Sequence, residues 1–157
     1  ITDLMDLVPI VVCVAFAGVG LIQLIKRRSI FKVDADIMIL GVYFAVVILA
    51  YVIFEIIPIN YRPILIEGRM EASYPSSTTL LVLSVMPVFI EQIQRRLSGD
   101  VAKRIITIVS LAFSGFMVIG RLIAGVHWFT DIVGGVLLST GLVLIYKATV
   151  MLVIKEK

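Results

Sequence analysis

Residues 74–96 read "YPSSTTLLVLSVMPVFIEQIQRR". The stretch opens on hydroxyls, runs through an apolar middle with no charge before Glu91, and closes on paired arginines. Pro75 followed by Ser76 and Ser77 marks a helix start. Serine caps free backbone N–H groups, and proline does not extend a helix backwards. An uncharged run bounded in this way predicts a membrane-crossing helix over about 77–93, lengthened by its flanks to reach the roughly 20 residues that a bilayer needs. Pro87 predicts a kink within it.

Working outward, four more runs have the same character, at about 7–25, 37–58, 105–120 and 132–154. They are long and continuous and do not alternate, which predicts helices and not strands. Of the 157 residues, 61% are hydrophobic, against about 45–50% in an ordinary soluble domain. That excess excludes a small soluble core. The expectation is an all-α, polytopic membrane bundle, with five transmembrane helices in a single domain spanning 1–157. The lone Cys13 excludes an intrachain disulfide.

Charge placement sets the topology. Lys26, Arg27, Arg28 and Lys32 lie between the first two segments. Arg95, Arg96, Lys103 and Arg104 lie between the third and fourth, and Lys155 and Lys157 form the tail. These regions fall on alternate connections and so share one side, the cytoplasmic one by the positive-inside rule. They read as topology signals and contacts with membrane lipids, with no nucleic-acid partner expected. Connections 59–76 and 120–131 then share the outer face, together with the N-terminus. An outer N-terminus implies a further helix before Ile1.

The outer connections carry the chemistry. Together they supply Arg62, Arg121, Asp131, the hydroxyl cluster and the chain's single histidine, His127. The helix that starts near Ser76 presents unpaired N–H groups and the positive end of its dipole, a natural phosphate site. Arg62 and Arg121 suit a clamp on the same anion. In "HWFTD" (127–131) the i, i+4 spacing puts His127 and Asp131 on one face, provided the last helix begins before His127. A carboxylate on one imidazole nitrogen leaves the other free to attack phosphorus. Two candidate ligands are too few for a metal site. His127 beside Trp128 has a plainer reading as a headgroup-level aromatic pair. The two upstream stretches favour the phosphate site.

In their order and spacing these segments resemble the type 2 phosphatidic acid phosphatase superfamily, over roughly residues 37–154. Its signatures are Lys-x6-Arg-Pro, Pro-Ser-Gly-His and Ser-Arg-x5-His-x3-Asp. Here Arg62–Pro63, Pro75–Ser76 and "GRLIAGVHWFTD" (120–131) fill the matching places. The third stretch, with Arg, His and Asp at full spacing, is the specific one. The resemblance implies a six-helix membrane phosphatase acting on a phosphorylated lipid at the outer face of a bacterial plasma membrane, without metal or organic cofactor. It implies His127 as nucleophile, Asp131 as its orienting partner and Arg121 as a catalytic clamp. Arg62 and the stretch Ser76, Ser77 and Thr78 would bind phosphate.

Four positions depart from the signatures. Glu55 stands for Lys, Ser77 for Gly, Gly120 for Ser, and Thr78 for the histidine that protonates the leaving group. Threonine is no acid at neutral pH. An alkoxide leaving from a lipid monoester, with a conjugate acid near pKa ~16, needs that proton. A phosphate leaving from a pyrophosphate, with a pKa of about 6, needs it far less. The expectation is hydrolysis of lipid phosphate or lipid pyrophosphate, such as a polyprenyl pyrophosphate. The alternative is a PAP2-like protein that binds such a lipid without turnover, as a sensor, carrier or transport-linked module. Glu55 is either an ion-pair partner for Arg62 or Arg121, or an interfacial carboxylate facing water.

Overall fold

A computed structural model describes residues 2–155, so the Lys157 used for topology lies outside the described residues. These residues form a short helix α1 (Thr2–Met5) and five long ones: α2 (Leu7–Arg27), α3 (Ala35–Ile56), α4 (Ser77–Arg96), α5 (Asp100–Ile123) and α6 (Phe129–Lys155). A 3₁₀ turn at Ile30–Lys32 joins α2 to α3. Among the described residues there is no β-strand beyond isolated bridges in the 57–76 connection. Each of the five long helices is long and apolar enough to cross a membrane.

α4 is at once the least apolar and the most buried of the five. The two facts have one cause. Polar side chains are costly against lipid, so the helix that carries them is surrounded by the others. α4 packs against α5 and α6 and also touches α2 and α3. Its Thr78, Thr79, Ser84 and Gln92 are buried. Pro87 lies inside the helix without ending it. The remaining helices turn leucine, isoleucine and valine outward, where lipid is as good a solvent as a core.

Packing therefore specifies the bundle through shape and internal polar contacts. Ile37, Leu40, Tyr43, Phe44 and Val47 recur at helical spacing on one face of α3. They meet Val85 and Val88 of α4 and Val143, Tyr146 and Val150 of α6. The Tyr43 hydroxyl donates to the Ser84 carbonyl at 2.8 Å, and Gln92 Nε2 donates to the Tyr146 hydroxyl at 2.9 Å. A second cluster of Val82, Met86 and Met117 joins α4 to α5.

The far end of the bundle is tied by charge. Asp34, which precedes α3, accepts from Arg27 Nη1 at 2.7 Å and from Gln23 Nε2 at 2.8 Å. Arg96, at the end of α4, donates to Asp36 at 2.6 Å and to Gln92 at 2.8 Å. The Arg27 and Gln23 bonds hold the Asp34 carboxyl below its usual value. All the basic connections sit at this end. The 57–76 and 124–128 connections meet at the other, beside the start of α2.

Candidate active site

Two turns bring the site loops together. In the 57–76 connection, Tyr61 and Ala72 pair antiparallel, with Arg62 N–H donating to Glu71 O at 3.1 Å and Ser73 N–H to Asn60 O at 2.9 Å. This small hairpin puts Arg62 and Ser73 on neighbouring rungs. After α5, Gly125 adopts a left-handed φ of +66°, where a side chain would be strained. The chain reverses there and leads into His127. Trp128 Nε1 then donates to Tyr61 O at 2.9 Å, locking one connection on the other.

α6 begins at Phe129, so His127 precedes the helix and the shared helical face expected of residues 127 and 131 does not form. A different device brings them together. The Asp131 carboxylate reaches back to the Trp128 N–H at 2.8 Å, the return half of a capping box. His127 Nδ1 lies 3.6 Å from Asp131 Oδ2, beyond hydrogen-bond range. Ser73 fills the gap. Its hydroxyl donates to Asp131 Oδ2, and its carbonyl lies 3.1 Å from His127 Nδ1. A carbonyl only accepts, so this contact places the imidazole proton on Nδ1 and the lone pair on Nε2. Nε2 is buried and makes no hydrogen bond among the described residues.

Burial and the charge of Arg62 push the His127 pKa well below the ordinary 6.5. Arg121 adds to the fall, and Asp131 and the Ser73 carbonyl oppose it. The imidazole is therefore neutral at physiological pH. Arg62 Nε lies 3.2 Å from Glu71 Oε2, close enough for an ion pair but not aligned as a hydrogen bond.

The start of α4 completes the arrangement. Ser76 is its N-cap and accepts from Thr79 N–H at 3.4 Å and Thr79 Oγ1 at 3.1 Å. Its own N–H donates to Asp131 O at 3.0 Å. α6 approaches Tyr74 and the start of α4 this closely because Gly134 and Gly135 carry no side chain. A Cβ at Gly134 would stand 2.4 Å from the Tyr74 ring, and one at Gly135 would stand 2.9 Å from Thr79. Arg121 is buried. Its Nε donates to Thr78 Oγ1 at 2.8 Å, and its Nη2 donates to Asp6 Oδ2 at 2.7 Å. Thr78 in turn donates to the same Asp6 oxygen at 2.8 Å. Ser77 is half-buried and joins Asp6 and Thr78 at the polar end of a cavity of about 350 Å³. Ile10, Val47, Ile48 and Leu81 line its apolar part.

The family profile of the PAP2 superfamily matches residues 55–154. The chain belongs to the PAP2 superfamily. Its fold is similar to that of a transmembrane PAP2-type phosphatidylglycerolphosphate phosphatase from Bacillus subtilis, with a TM-score of 0.62 at 19% identity, over 92% of this chain and 76% of that one. No curated protein sequence matches the chain.

In this PAP2 protein Arg121 meets Thr78 directly, His127 meets Asp131 through Ser73, and Ser76 meets Asp131 through the backbone. Arg62 stands on the hairpin, where its charge reaches His127. Glu55 is exposed at the end of α3, while Arg62 has Glu71 and Arg121 has Asp6 as carboxylate partners. The sequence offered no signal for Ser73. For Asp6 it offered a faint one, a carboxylate at the edge of an apolar run, where charge is costly unless paired.

Proposed function

We propose that the chain is a membrane-embedded phosphohydrolase of lipid phosphates or lipid pyrophosphates, with His127 as the nucleophile. The observation that carries this reading is the neutral His127 ring, with Nδ1 turned to a carbonyl, a buried Nε2 that makes no hydrogen bond among the described residues, and the charges of Arg62 and Arg121 acting on it. Phosphate lies between Arg62, Arg121 and the N–H groups that open α4. Nε2 attacks phosphorus, the bond to the lipid oxygen breaks, and a phosphohistidine forms. Asp131, relayed through Ser73, offsets the positive charge that develops on the ring. Water then attacks phosphorus, the N–P bond breaks and phosphate leaves. Arg62 and Arg121 stabilise the charge on the equatorial oxygens in both steps. The lipid chain occupies the apolar cavity beside Thr78.

The positive-inside rule, applied to the basic far end, supports a site on the extracytoplasmic side, in our reading that of a bacterial plasma membrane. The test is phosphate release from polyprenyl pyrophosphate and from phosphatidic acid by the wild type and by His127→Ala. Release lost in His127→Ala, with a phosphohistidine trapped in the wild type, supports the reading. Release unchanged in His127→Ala overturns the nucleophile. Binding without release by the wild type points to a protein that holds such a lipid without turnover.

A further inference from the structure

Asp6 stands just before α2, at its N-cap position, where aspartate normally accepts from the helix's own first N–H groups. It makes no such cap. Its carboxylate turns instead into the bundle and reaches across to α4 and α5, where Oδ2 accepts from Thr78 and Arg121. Its second oxygen, Oδ1, is buried and makes no hydrogen bond among the described residues. A cap forgone in favour of contacts 72 and 115 residues away in sequence indicates a role for this carboxylate in the site.

Its place relative to the substrate is specific. On the reading above, phosphate rests on Arg121 and the lipid chain lies in the apolar cavity. Asp6 touches both, bonding Arg121 and lining the cavity with Ile10, Val47 and Ile48. The bond to be broken joins phosphate to lipid, so its bridging oxygen must lie at this junction. Thr78, the residue facing it from α4, has no acidic proton to give, yet it holds the carboxylate in place.

We propose that Asp6 is the proton donor to the leaving oxygen. The proton comes from the substrate: a phosphate monoanion carries one O–H, which it donates to the Asp6 carboxylate that shares its guanidinium. As the Nε2–P bond forms and the P–O bond breaks, that proton passes to the bridging oxygen and the lipid leaves as an alcohol. In the second half-reaction water attacks phosphorus, one of its protons passes to a phosphate oxygen and the N–P bond breaks, a step common to both substrates that does not use Asp6. His127 and the Asp6 carboxylate are then back in their starting states.

This inference rests on the phosphohydrolase reading, and leaving-group basicity separates the two. Phosphate release is measured from phosphatidic acid, whose alkoxide leaving group needs a proton, and from polyprenyl pyrophosphate, whose phosphate leaving group does not. Asp6→Asn keeps the shape of the side chain. The expected result is a loss of about 10²–10⁴-fold on phosphatidic acid and of less than about tenfold on the pyrophosphate. Retained pyrophosphate hydrolysis also shows that the variant is folded. Asp6→Glu should recover part of the monoester activity.

Equal losses on both substrates would make Asp6 a positioning residue for Arg121 and overturn the proposal. A gain on both would make it a competitor for phosphate and overturn it equally. Wild type active on the pyrophosphate alone sinks the proton donor and leaves the phosphohydrolase standing. No release from either substrate, or full release by His127→Ala, removes both.

Discussion

The two ends of the bundle handle their polar groups in opposite ways. At the far end each oxygen of Asp34 accepts a hydrogen bond, Arg96 donates to both Asp36 and Gln92, and Gln92 is also bonded to Tyr146. At the site end, four buried polar atoms make no hydrogen bond among the described residues: Asp6 Oδ1, Arg62 Nε, His127 Nε2 and Asp131 Oδ1. The only other such atom is Ser84 Oγ, within α4. Leaving a buried polar group unpaired costs about 1–3 kcal/mol. Such a concentration is expected where a ligand, and not the fold, is to be the partner. The far end holds helices together, and the site end holds groups ready.

The sharpest way to break this contrast is His127→Ala. We expect phosphate release to fall by at least about 10⁴-fold, as for loss of an activated nucleophile. The thermal midpoint in detergent should barely move, because the lost ring contributes few bonds to the fold. A large stability loss with preserved turnover would make His127 part of the scaffold and erase the contrast.

The next effect in size concerns the relay. Asp131→Asn should cost about 10²–10⁴-fold in turnover, by analogy with the orienting aspartate of a catalytic triad. Ser73→Ala should cost less, about 10-fold. It removes the hydroxyl link but keeps the carbonyl that fixes the Nδ1 proton. A larger loss for Ser73→Ala than for Asp131→Asn would mean that the hydroxyl, and not the carboxylate, governs the ring.

The chain's single histidine makes the third prediction direct. In protein labelled at its histidine ring nitrogens, one titration should appear, with its midpoint well below 6.5. Within the window between that midpoint and 6.5, the unfolded chain binds a proton that the folded chain does not. Stability is then complete above pH 6.5 and declines as pH falls through the window. In Arg62→Gln the midpoint should rise, because one cause of the depression is removed. A wild-type midpoint at or above 6.5 would show that the ring is solvated or directly paired with Asp131.

What was legible follows the same division. Five apolar runs announce five helices because lipid demands about 20 apolar residues for each crossing. Helix ends were less legible. α5 reaches back to Asp100, past Lys103 and Arg104, because a helix continues past the apolar slab while its backbone bonds are satisfied. Arg62, Arg121, His127 and Asp131 stand out in sequence as ionisable residues in otherwise apolar surroundings. Ser73 does not, and Asp6 does so only faintly, at the edge of an apolar run. Their contacts join positions 58 and 72 residues apart, and no local pattern encodes them. Nor does the i, i+4 spacing of His127 and Asp131 disclose that α6 starts between them.

The smallest effect belongs to the far end, and it sharpens the contrast from the other side. Arg96 bonds Asp36 and Gln92 and lies 3.7 Å from Asp34, tying α4 to the start of α3. Its side chain is 32% exposed, so solvent and salt screen these pairs. Arg96→Ala should therefore cost only about 1 kcal/mol, or about 2–4 °C in Tm. Turnover per folded molecule should not change, since the site lies at the opposite end of α4. The loss should shrink in high salt, as it does for exposed pairs. Acid should reveal the same network. Asp34 has its carboxyl held below 3.8 by Arg27 and Gln23, so its stabilising contribution is present above pH 3.8 and lost as pH falls below that value. In Asp34→Asn that acid-side loss should be absent, while the His127 window at higher pH remains. If Arg96→Ala instead lowered turnover at unchanged stability, the two ends would be coupled through α4, and the division between a holding end and a working end would fail.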